Sequence, residues 1–224
     1  MEKSRRKKQM KKRMYQSDAA SYFREHSSIF LFIVVLFLMG VIFGAIVVNS
    51  MSITQKEDLF YYLSQFFGQV SDGKVAEDND LFLQSFFHNS KFIGLMWILG
   101  ISIIGLPVIL ILLFIKGMVV GFTVGFLVSQ MGWKGFMLAF VSILPQNLII
   151  IPVFIMMAAL SVIFSLRMIK RQFMKKYAQP IMPFFKRYIF AILAAVIFIS
   201  AASGIEAYLS PWLMKTIISS TSLK

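Results

Sequence analysis

The sequence contains no cysteine and few charged residues, and both shortages narrow the class of protein. Without cysteine there is no disulfide framework, no thiolate nucleophile and no thiolate metal site. Charged residues make up 15% of the 224 residues, against about 25% in an ordinary soluble domain. Hydrophobic residues make up 58%, with 24 Phe and 15 Met, which is more apolar surface than one soluble core of this length can bury. A plain water-soluble globular protein is therefore excluded.

Side chains that could perform chemistry are also scarce. His26 and His88 are the two histidines, and both lie outside the long apolar runs, so a Ser–His dyad within a membrane cannot be assembled. No pair of carboxylates lies within those runs, zinc needs three or four converging ligands, and no glycine-rich phosphate-binding loop is present. We therefore expect no catalytic residue, no metal ion, no cofactor and no enzymatic activity.

Positive charge is concentrated in two blocks rather than spread along the chain. The net charge is +13, and the N-terminal residues and residues 167–187 hold most of the Lys and Arg. Both blocks directly adjoin long apolar runs, whereas a nucleic-acid binder would combine its cations with base-reading or stacking groups on a folded domain. We expect contact with membrane lipid and none with nucleic acid.

The apolar runs predict an all-α integral membrane protein with five transmembrane helices. Residues 29–48 are twenty residues without a charge, long enough to cross a hydrocarbon core of about 30 Å. The predicted spans are residues 29–48, 92–115, 117–131, 136–166 and 188–207. Lys116 separates the second span from the third, and Gly132-Trp133-Lys134 forms a tight interfacial turn.

The fourth predicted span is broken by proline. Pro145 is followed by Gln146 and Asn147, and Pro152 bends the run again. Either one long kinked helix or a helix with a short re-entrant entry fits this pattern. Because proline frees backbone groups that lipid cannot satisfy, we expect the two amides to bond those groups or a neighbouring helix rather than to form a solute site.

The distribution of Lys and Arg orients the predicted spans. With residues 1–28 in the cytoplasm, the inner segments, including Lys116 and residues 167–187, hold 17 of the 23 Lys and Arg. The positive-inside rule then places the N-terminus inside and the C-terminus outside. Residues 49–91 become an extracytoplasmic insert, and residues 208–224 become an outer tail lying along the interface.

The outer insert carries two phenylalanine-rich stripes at helical spacing. They contain Phe66 and Phe67 in the first stripe and Phe86 and Phe87 in the second. An exposed aromatic patch of this kind marks a partner surface or a membrane surface. We predict these four side chains as docking candidates for a protein partner. The alternative is that the stripes lie on lipid headgroups or cover the helix bundle.

Small residues at four-residue spacing predict close helix contacts. Gly117, Gly121 and Gly125 share one helical face, and Gly40 and Gly44 repeat the spacing in the first span. This spacing lets two helices approach to backbone contact. It serves either a homodimer or packing within one chain. Lys116 and Glu206 lie near predicted span ends, where their side chains can reach the interface, and we expect an anchoring role for both.

At these positions the sequence resembles the stage II sporulation protein M family of endospore-forming bacteria. The resemblance covers the basic N-terminus before a single span, the acidic and aromatic insert, and the basic segment before the last span. It also covers Lys116-Gly117 with Gly121 and Gly125, Gly132, and the break at 144–147. In the broader family His-Gly and then Glu commonly follow this proline. Here Gln146-Asn147 and then Ile149 to Ile151 stand there, which looks like the sporulation branch.

The resemblance implies a non-enzymatic scaffold of the machinery that engulfs the forespore. Such proteins sit in the mother-cell membrane at the sporulation septum and hold two peptidoglycan-degrading partners, stage II sporulation proteins D and P. The alternative is a small-solute transporter or channel subunit formed by a homodimer, with the glycine spans and the broken helix lining the pathway. The chain offers few charged groups to line such a pathway, and no inverted repeat is apparent.

Overall fold

The computed structural model describes residues 24–71, 78–173 and 182–213. Within these ranges the secondary structure consists of helices joined by short turns. Six helices follow one another: α1 (Ser27–Ser50), α2 (Ile53–Ser71), α3 (Asp78–Ile101), α4 (Gly105–Ser142), α5 (Leu144–Phe173) and α6 (Met182–Gly204). A π-helical turn, Ile205–Leu209, continues α6. The described residues contain no strand, so the predicted all-helical class is confirmed.

Four helices of the described residues are long and apolar enough to cross a membrane. They are Ser27–Ser50, Gly105–Ser142, Leu144–Gln172 and Phe184–Leu213. The sequence predicted five spans. α3 is not among the four, because it carries Asp78, Asp80 and Lys91 before the apolar residues that end it.

The boundary between the second and third predicted spans differs from the prediction. α3 ends at Ile101, the chain turns at residues 102–104, and α4 then continues through Lys116 without a break. The predicted turn at Lys116 and the spans 92–115 and 117–131 are therefore wrong at this boundary. The turn falls instead before Gly105, where an added Cβ would overlap the backbone of Leu99 and only glycine fits.

Gly132 reverses the direction of the chain within α4. Its φ of 57° and ψ of −131° are not helical, and a positive φ of this size favours glycine. Beyond it the chain packs back on the preceding turns, because Leu138 and Ala139 are buried against Leu127. The structure thus has a tight turn where the glycine, Trp133 and Lys134 predict one.

The break at Pro145 is a kink. Ile143 keeps φ −105° and ψ −38°, and α5 begins directly after it at Leu144, with Pro145 in its first turn. Because the backbone at Ile143 stays in the helical region, the chain passes from α4 into α5 without an irregular loop. The side-chain amide of Asn147 donates to the backbone oxygen of Ile143 at 2.8 Å, an oxygen that also accepts from the Asn147 backbone N–H at 3.2 Å.

α2 is a separate amphipathic helix joined to α1 by a short link. Ser52 and Gln55 cap it reciprocally: the Ser52 backbone N–H donates to Gln55 Oε1 at 3.0 Å, and the Gln55 N–H donates to Ser52 Oγ at 3.3 Å. Leu63 packs against the small cluster around Leu127, while Tyr61 and Tyr62 are exposed. The helix therefore rests on the bundle by one face.

The remaining helices form a bundle with two distinct ends. Ser165 Oγ donates to the backbone oxygen of Ser102 at one end, and Ser85 Oγ contacts the Glu206 carboxylate at the other. We call these the Ser102 end and the Glu206 end. α3 and α5 run from the Glu206 end to the Ser102 end, and α4 up to Gly132 runs the opposite way, as does α6.

Candidate functional site

A glycine contact joins α1 to α4. It is built by Gly40 and Gly44 of α1 and by Gly117, Gly121 and Gly125 of α4. A Cβ on Gly121 would overlap the backbone oxygen of Val41, and a Cβ on Gly44 would lie 2.7 Å from the backbone nitrogen of Phe122. The two backbones therefore touch from Gly117 to Gly125, about two helical turns, with the helices running in the same direction.

These glycines contact residues of the same chain. Of the two uses that their spacing allows, the structure shows the internal one, because the partner of every glycine in the contact is a residue of α1 or α4. A homodimer would therefore have to use other surfaces. Beside the contact, a groove of about 490 Å³ runs along Ala45, Val48, Val124 and Val128.

A second site, which we call the polar cluster, joins α3, α4, α5 and the end of α6. It consists of Ser85, Asn89, Lys116, Gln146, Ser203 and Glu206. Asn89 is 4% exposed and Ser203 is fully buried. Buried polar groups among apolar helices are costly unless they bond one another, so the contacts within this cluster decide whether it can exist.

The positive end of the polar cluster is Lys116. Its Nζ donates to Asn89 Oδ1 at 3.3 Å, and it lies 5.0 Å from the ring centre of Phe154 and 5.7 Å from that of Phe92. Aromatic faces attract a desolvated ammonium group. The His88 ring lies against the Phe92 ring, with the ring centres 5.2 Å apart.

The negative end of the polar cluster is Glu206. Ser85 Oγ donates to its carboxylate, and Ser203 Oγ lies 3.1 Å from Ser85 Oγ. With its amide nitrogen turned to the carboxylate, Gln146 donates to Glu206 Oε2 at 2.7 Å and to Oε1 at 3.2 Å. Asn89 links the two ends, because its Nδ2 donates to the Ser85 backbone oxygen at 3.0 Å.

A π-helical turn places Glu206 in this cluster. It spans Ile205–Leu209, and the Ser210 hydroxyl bonds the backbone oxygen of Ile205 at 3.5 Å. The wider turn keeps both Ala207 and Ser210 buried beyond Ser203. Single π-turns inside α-helices are rare and frequently mark functional positions.

The structure changes the interpretation of the two charged residues. Lys116 lies eleven residues after Gly105, about 16 Å along the helix, so it is not at a helix end. Its side chain points to Asn89 inside the bundle and not toward an interface. The prediction that Lys116 is an anchor at a span end is therefore wrong. Glu206 is near the end of its helix but also faces the bundle.

Sequence reasoning did not find Ser85, Asn89 or Ser203. Serine and asparagine are common in loops, and residues 49–91 were predicted as an outer insert. The available signal was the spacing of Ser85, Asn89 and Phe92, which places three residues on the face that also carries the buried Met96. Gln146 was predicted to bond the freed backbone groups or a neighbouring helix; with its amide nitrogen turned to the carboxylate, it meets Glu206 at the end of α6.

The docking candidates separate in the structure. Phe66 and Phe67 lie on α2, and their side chains are outside the described part of the structure. Phe86 packs against the hydrophobic core of the bundle and stacks on Phe82 at 6.1 Å. Phe87 is 54% exposed. Both belong to the long helix α3, where Phe86 covers the bundle and Phe87 is exposed for a surface contact.

A third group of polar contacts lies near the Ser102 end. The Tyr188 hydroxyl donates to the Trp97 backbone oxygen at 2.8 Å and lies 2.8 Å from Ser161 Oγ. The Tyr188 ring stacks between Trp97 and Phe164, with ring centres 5.7 and 4.8 Å away. Further out, Arg167 lies 3.5 Å from the Phe184 ring and 3.2 Å from His26 Nε2.

These features define an all-helical fold with four helices long and apolar enough to cross a membrane, packed through an apolar core, the glycine contact and buried polar groups. Within the described ranges, no three His, Cys, Asp or Glu side chains converge as metal ligands. The family model of stage II sporulation protein M matches residues 33–211. The chain belongs to the stage II sporulation protein M family, as the sequence resemblance predicts. Comparisons with curated proteins and with solved structures gave no match.

Proposed function

We propose that this chain is a non-enzymatic membrane scaffold of the sporulation engulfment machinery. In this role it anchors peptidoglycan-degrading partners, stage II sporulation proteins D and P, in the mother-cell membrane at the septum. The observation that carries the proposal is its membership of the family over residues 33–211. The structure supports it through a bundle whose polar groups bond one another and through helix α2, which projects exposed aromatic side chains.

The proposed topology has five crossings, with the N-terminus inside and the C-terminus outside. α3 supplies the fifth crossing, because it runs antiparallel to α4 and α6 within the bundle. Once Lys116 is counted inside the bundle, 16 of the 23 Lys and Arg still lie before α1 or around the α5–α6 connection. The positive-inside rule then puts the Ser102 end in the cytoplasm.

Exposed aromatic side chains at the Glu206 end fit a membrane–water interface at this end of the bundle. Trp133 at the Gly132 turn is 71% exposed, and Tyr208 and Trp212 beyond the π-turn are also exposed. Amphipathic aromatic rings of this kind collect at the membrane–water interface. The Glu206 end therefore lies at the outer headgroup level in the proposed topology, with α2 along the same surface.

Single-cysteine labelling tests the topology, because the natural chain has no cysteine. A membrane-impermeant maleimide added to intact cells is expected to label Ser71→Cys and Ser222→Cys but not Gln172→Cys. Permeabilised cells provide the control, since all three variants should then react. Labelling of Gln172→Cys in intact cells contradicts the proposed orientation.

The docking surface in this proposal is the outward face of α2. Tyr61 and Tyr62 are 59% and 67% exposed, and aromatic side chains are frequent energetic anchors of protein contacts. We compare two double variants at matched membrane abundance. One carries Phe66→Ser together with Phe67→Ser, and the other carries Tyr61→Ser together with Tyr62→Ser. At least one of these pairs is expected to lose co-purification of the two partners and to block engulfment.

Phe86 and Phe87 provide the matched comparison. Phe87→Ser changes only an exposed ring, whereas Phe86→Ser also opens the core of the bundle. A partner that docks on α3 would be lost with Phe87→Ser at unchanged stability. If neither the α2 pairs nor Phe87→Ser affects the partners, docking through these outer helices is wrong.

Deletion of the gene tests the function itself. In a strain that forms endospores, engulfment followed with a membrane dye is expected to stop, and fluorescent fusions of the two partners are expected to leave the septum. Partners that stay at the septum while engulfment proceeds would contradict the scaffold role. Re-expression of the natural chain is the control for both readouts.

The alternative function, a small-solute transporter or channel subunit formed by a homodimer, gains one observation. Charged side chains, Lys116 and Glu206, lie within the bundle, and intramembrane ionisable groups mark transport pathways in many membrane proteins. Solute uptake into proteoliposomes that changes with Lys116→Met would favour this alternative over the scaffold.

A further inference from the structure

The whole net charge of the chain lies in the two segments that meet the Ser102 end of the bundle. Residues 1–28 lead into α1, and residues 167–187 join α5 to α6. Together they hold 16 Lys and Arg against three acids, whereas the rest of the chain holds seven of each. The positive-inside rule depends on Lys and Arg and gives little weight to acids. Orientation therefore accounts for the cations of this end and not for its shortage of acids.

The fold brings cations from three elements to this end. The Arg167 guanidinium of α5 lies 3.5 Å from the Phe184 ring centre of α6, and its Nη2 lies 3.2 Å from His26 Nε2, just before α1. The exposed cations gathered by these contacts are Arg24, Lys170, Arg171, Lys186 and Arg187. In the described part of this end Glu25 is the single acid, and like charges gathered together repel one another. An anion from outside the chain would therefore stabilise this end.

α6 continues this charge into an exposed apolar face. Lys186 is followed at helical spacing by Phe190, Leu193 and Ile197, and all three apolar side chains are exposed. From Lys186 to Ile197 the helix rises about 16 Å, close to half of a hydrocarbon core about 30 Å thick. A cation at the base of an apolar face one leaflet long matches a phospholipid, whose anionic headgroup adjoins its acyl chains.

We propose that the Ser102 end binds anionic phospholipid. Lys186 and Arg187 hold the phosphate from α6, Lys170 and Arg171 add positive charge from α5, and an acyl chain lies along the face that ends at Ile197. Clusters of Lys and Arg beside a membrane helix are typical of such binding. The site is defined by the charge and shape of this end, so it depends neither on the scaffold role nor on which side of the membrane this end faces.

Charge complementarity selects this ligand over the other candidates. A zwitterionic phospholipid has the same acyl chains but neutralises none of the net charge. A soluble phosphate or a nucleic acid would supply negative charge but leave the apolar face of α6 without a partner. An anionic phospholipid is the ligand that satisfies both parts of the surface.

Lipid retention by the full chain tests the proposal. The protein is purified in detergent that contains an equimolar mixture of phosphatidylglycerol and phosphatidylcholine with the same acyl chains, and the lipids that stay bound are counted by mass spectrometry. We expect a roughly fivefold excess of phosphatidylglycerol, the effect of about one cation near an anionic surface. Equal retention of the two lipids overturns the proposal.

Inorganic phosphate, added at constant ionic strength, separates the lipid from a soluble anion. The apolar face does not contribute to phosphate binding, so we expect the phosphatidylglycerol to stay bound. Its release by phosphate would assign the Ser102 end to a soluble anion and would overturn the lipid as ligand. Both measurements use the purified chain without its proposed partners, so their outcome is separate from that of the scaffold proposal.

Two charge-matched double variants locate the site. Lys186→Gln with Arg187→Gln removes two cations at the base of the α6 face and should lose most of the excess of phosphatidylglycerol. Lys56→Gln with Lys134→Gln removes the same charge away from the Ser102 end and should keep it. Equal retention by the two variants would show that overall charge attracts the lipid, and the site would be wrong.

A further double variant keeps the test independent of the folding of α6. Lys170→Gln with Arg171→Gln changes exposed side chains in the last turn of α5 and should also lower the excess of phosphatidylglycerol. Helical content, measured by circular dichroism, is the control for every variant. An excess that stays unchanged in this folded variant contradicts the contribution of α5 to the site.

Discussion

The glycine contact and the polar cluster hold the same bundle in different ways. In the glycine contact, α1 and α4 touch through backbone atoms, and the absence of side chains is what allows the approach. In the polar cluster, four helices contribute single side chains that bond one another around a lysine and a glutamate. α4 takes part in both, with Lys116 next to Gly117 in the chain.

The comparison shows how helices associate where lipid replaces water. Lipid tails are as apolar as leucine, so association depends on close packing and on hydrogen bonds between helices rather than on apolar burial. The glycine contact depends on close packing and tolerates no added atom at its centre. The polar cluster depends on hydrogen bonds between helices, and each of its members needs a partner. The two should therefore fail differently on substitution.

The largest loss of unfolding free energy is expected from Gly121→Leu. Even a Cβ at this position would overlap the Val41 backbone oxygen, and neither helix can move without losing the contacts of the other glycines. Overpacking of this kind costs about 3 kcal/mol or more, measured by thermal unfolding in detergent. Gly94→Leu is the matched control, because no atom lies within 4 Å of an added Cβ there. Equal losses for the two variants would contradict the glycine contact.

The second-largest loss of unfolding free energy is expected from substitutions in the polar cluster. Lys116→Met leaves the Glu206 carboxylate without its balancing charge and should cost about 2 kcal/mol, less than for a fully buried pair because Glu206 is half-buried. Lys116→Met combined with Glu206→Gln should cost less than the two single losses together. A coupling above about 0.5 kcal/mol shows interaction between the two sites. Strict additivity would mean that the two charges act independently.

The same two regions show how much of the structure the sequence could predict. The glycine contact was readable because its residues repeat every four positions within one helix, although the spacing could not show whether the partner was α1 or a second copy. The polar cluster was not readable as a unit. Its members come from four helices, one each or two at most, and only the fold brings them together.

The error in the predicted span boundary at Lys116 also arises from contacts that only the fold brings together. A lysine inside an apolar run was interpreted as the end of a span, because an isolated charge in lipid is unfavourable. Asn89, Phe92 and Phe154 make that position favourable, and none of them is near Lys116 in the sequence. Gly132 and Pro145, by contrast, act through their own backbone, so a turn at Gly132 and a break near Pro145 were predictable from local sequence.

A smaller effect is expected for Tyr188→Phe, which tests polar contacts without a charge. The change removes the hydroxyl bonded to the Trp97 backbone oxygen and to Ser161 but keeps the ring stacked between Trp97 and Phe164. The loss of one buried hydroxyl should cost about 1 kcal/mol in the same unfolding measurement. Tyr208→Phe, at an exposed position, should be neutral. A loss as large as that of Lys116→Met would mean that charge adds nothing to the polar cluster.

The smallest effect is expected for Thr123→Val, two residues from Gly121 on the exposed face of α4. The Thr123 hydroxyl donates to the Val119 backbone oxygen at 2.9 Å within its own helix, and such a local bond competes with the helix instead of joining it to a neighbour. Valine keeps the shape of the side chain, so the unfolding free energy should change by less than about 0.5 kcal/mol. A larger loss would show that any substitution on this part of α4 is harmful, and the effect of Gly121→Leu could then no longer be attributed to the backbone contact with α1. A neutral result together with a severe Gly121→Leu places the sensitivity of α4 on the face that meets α1.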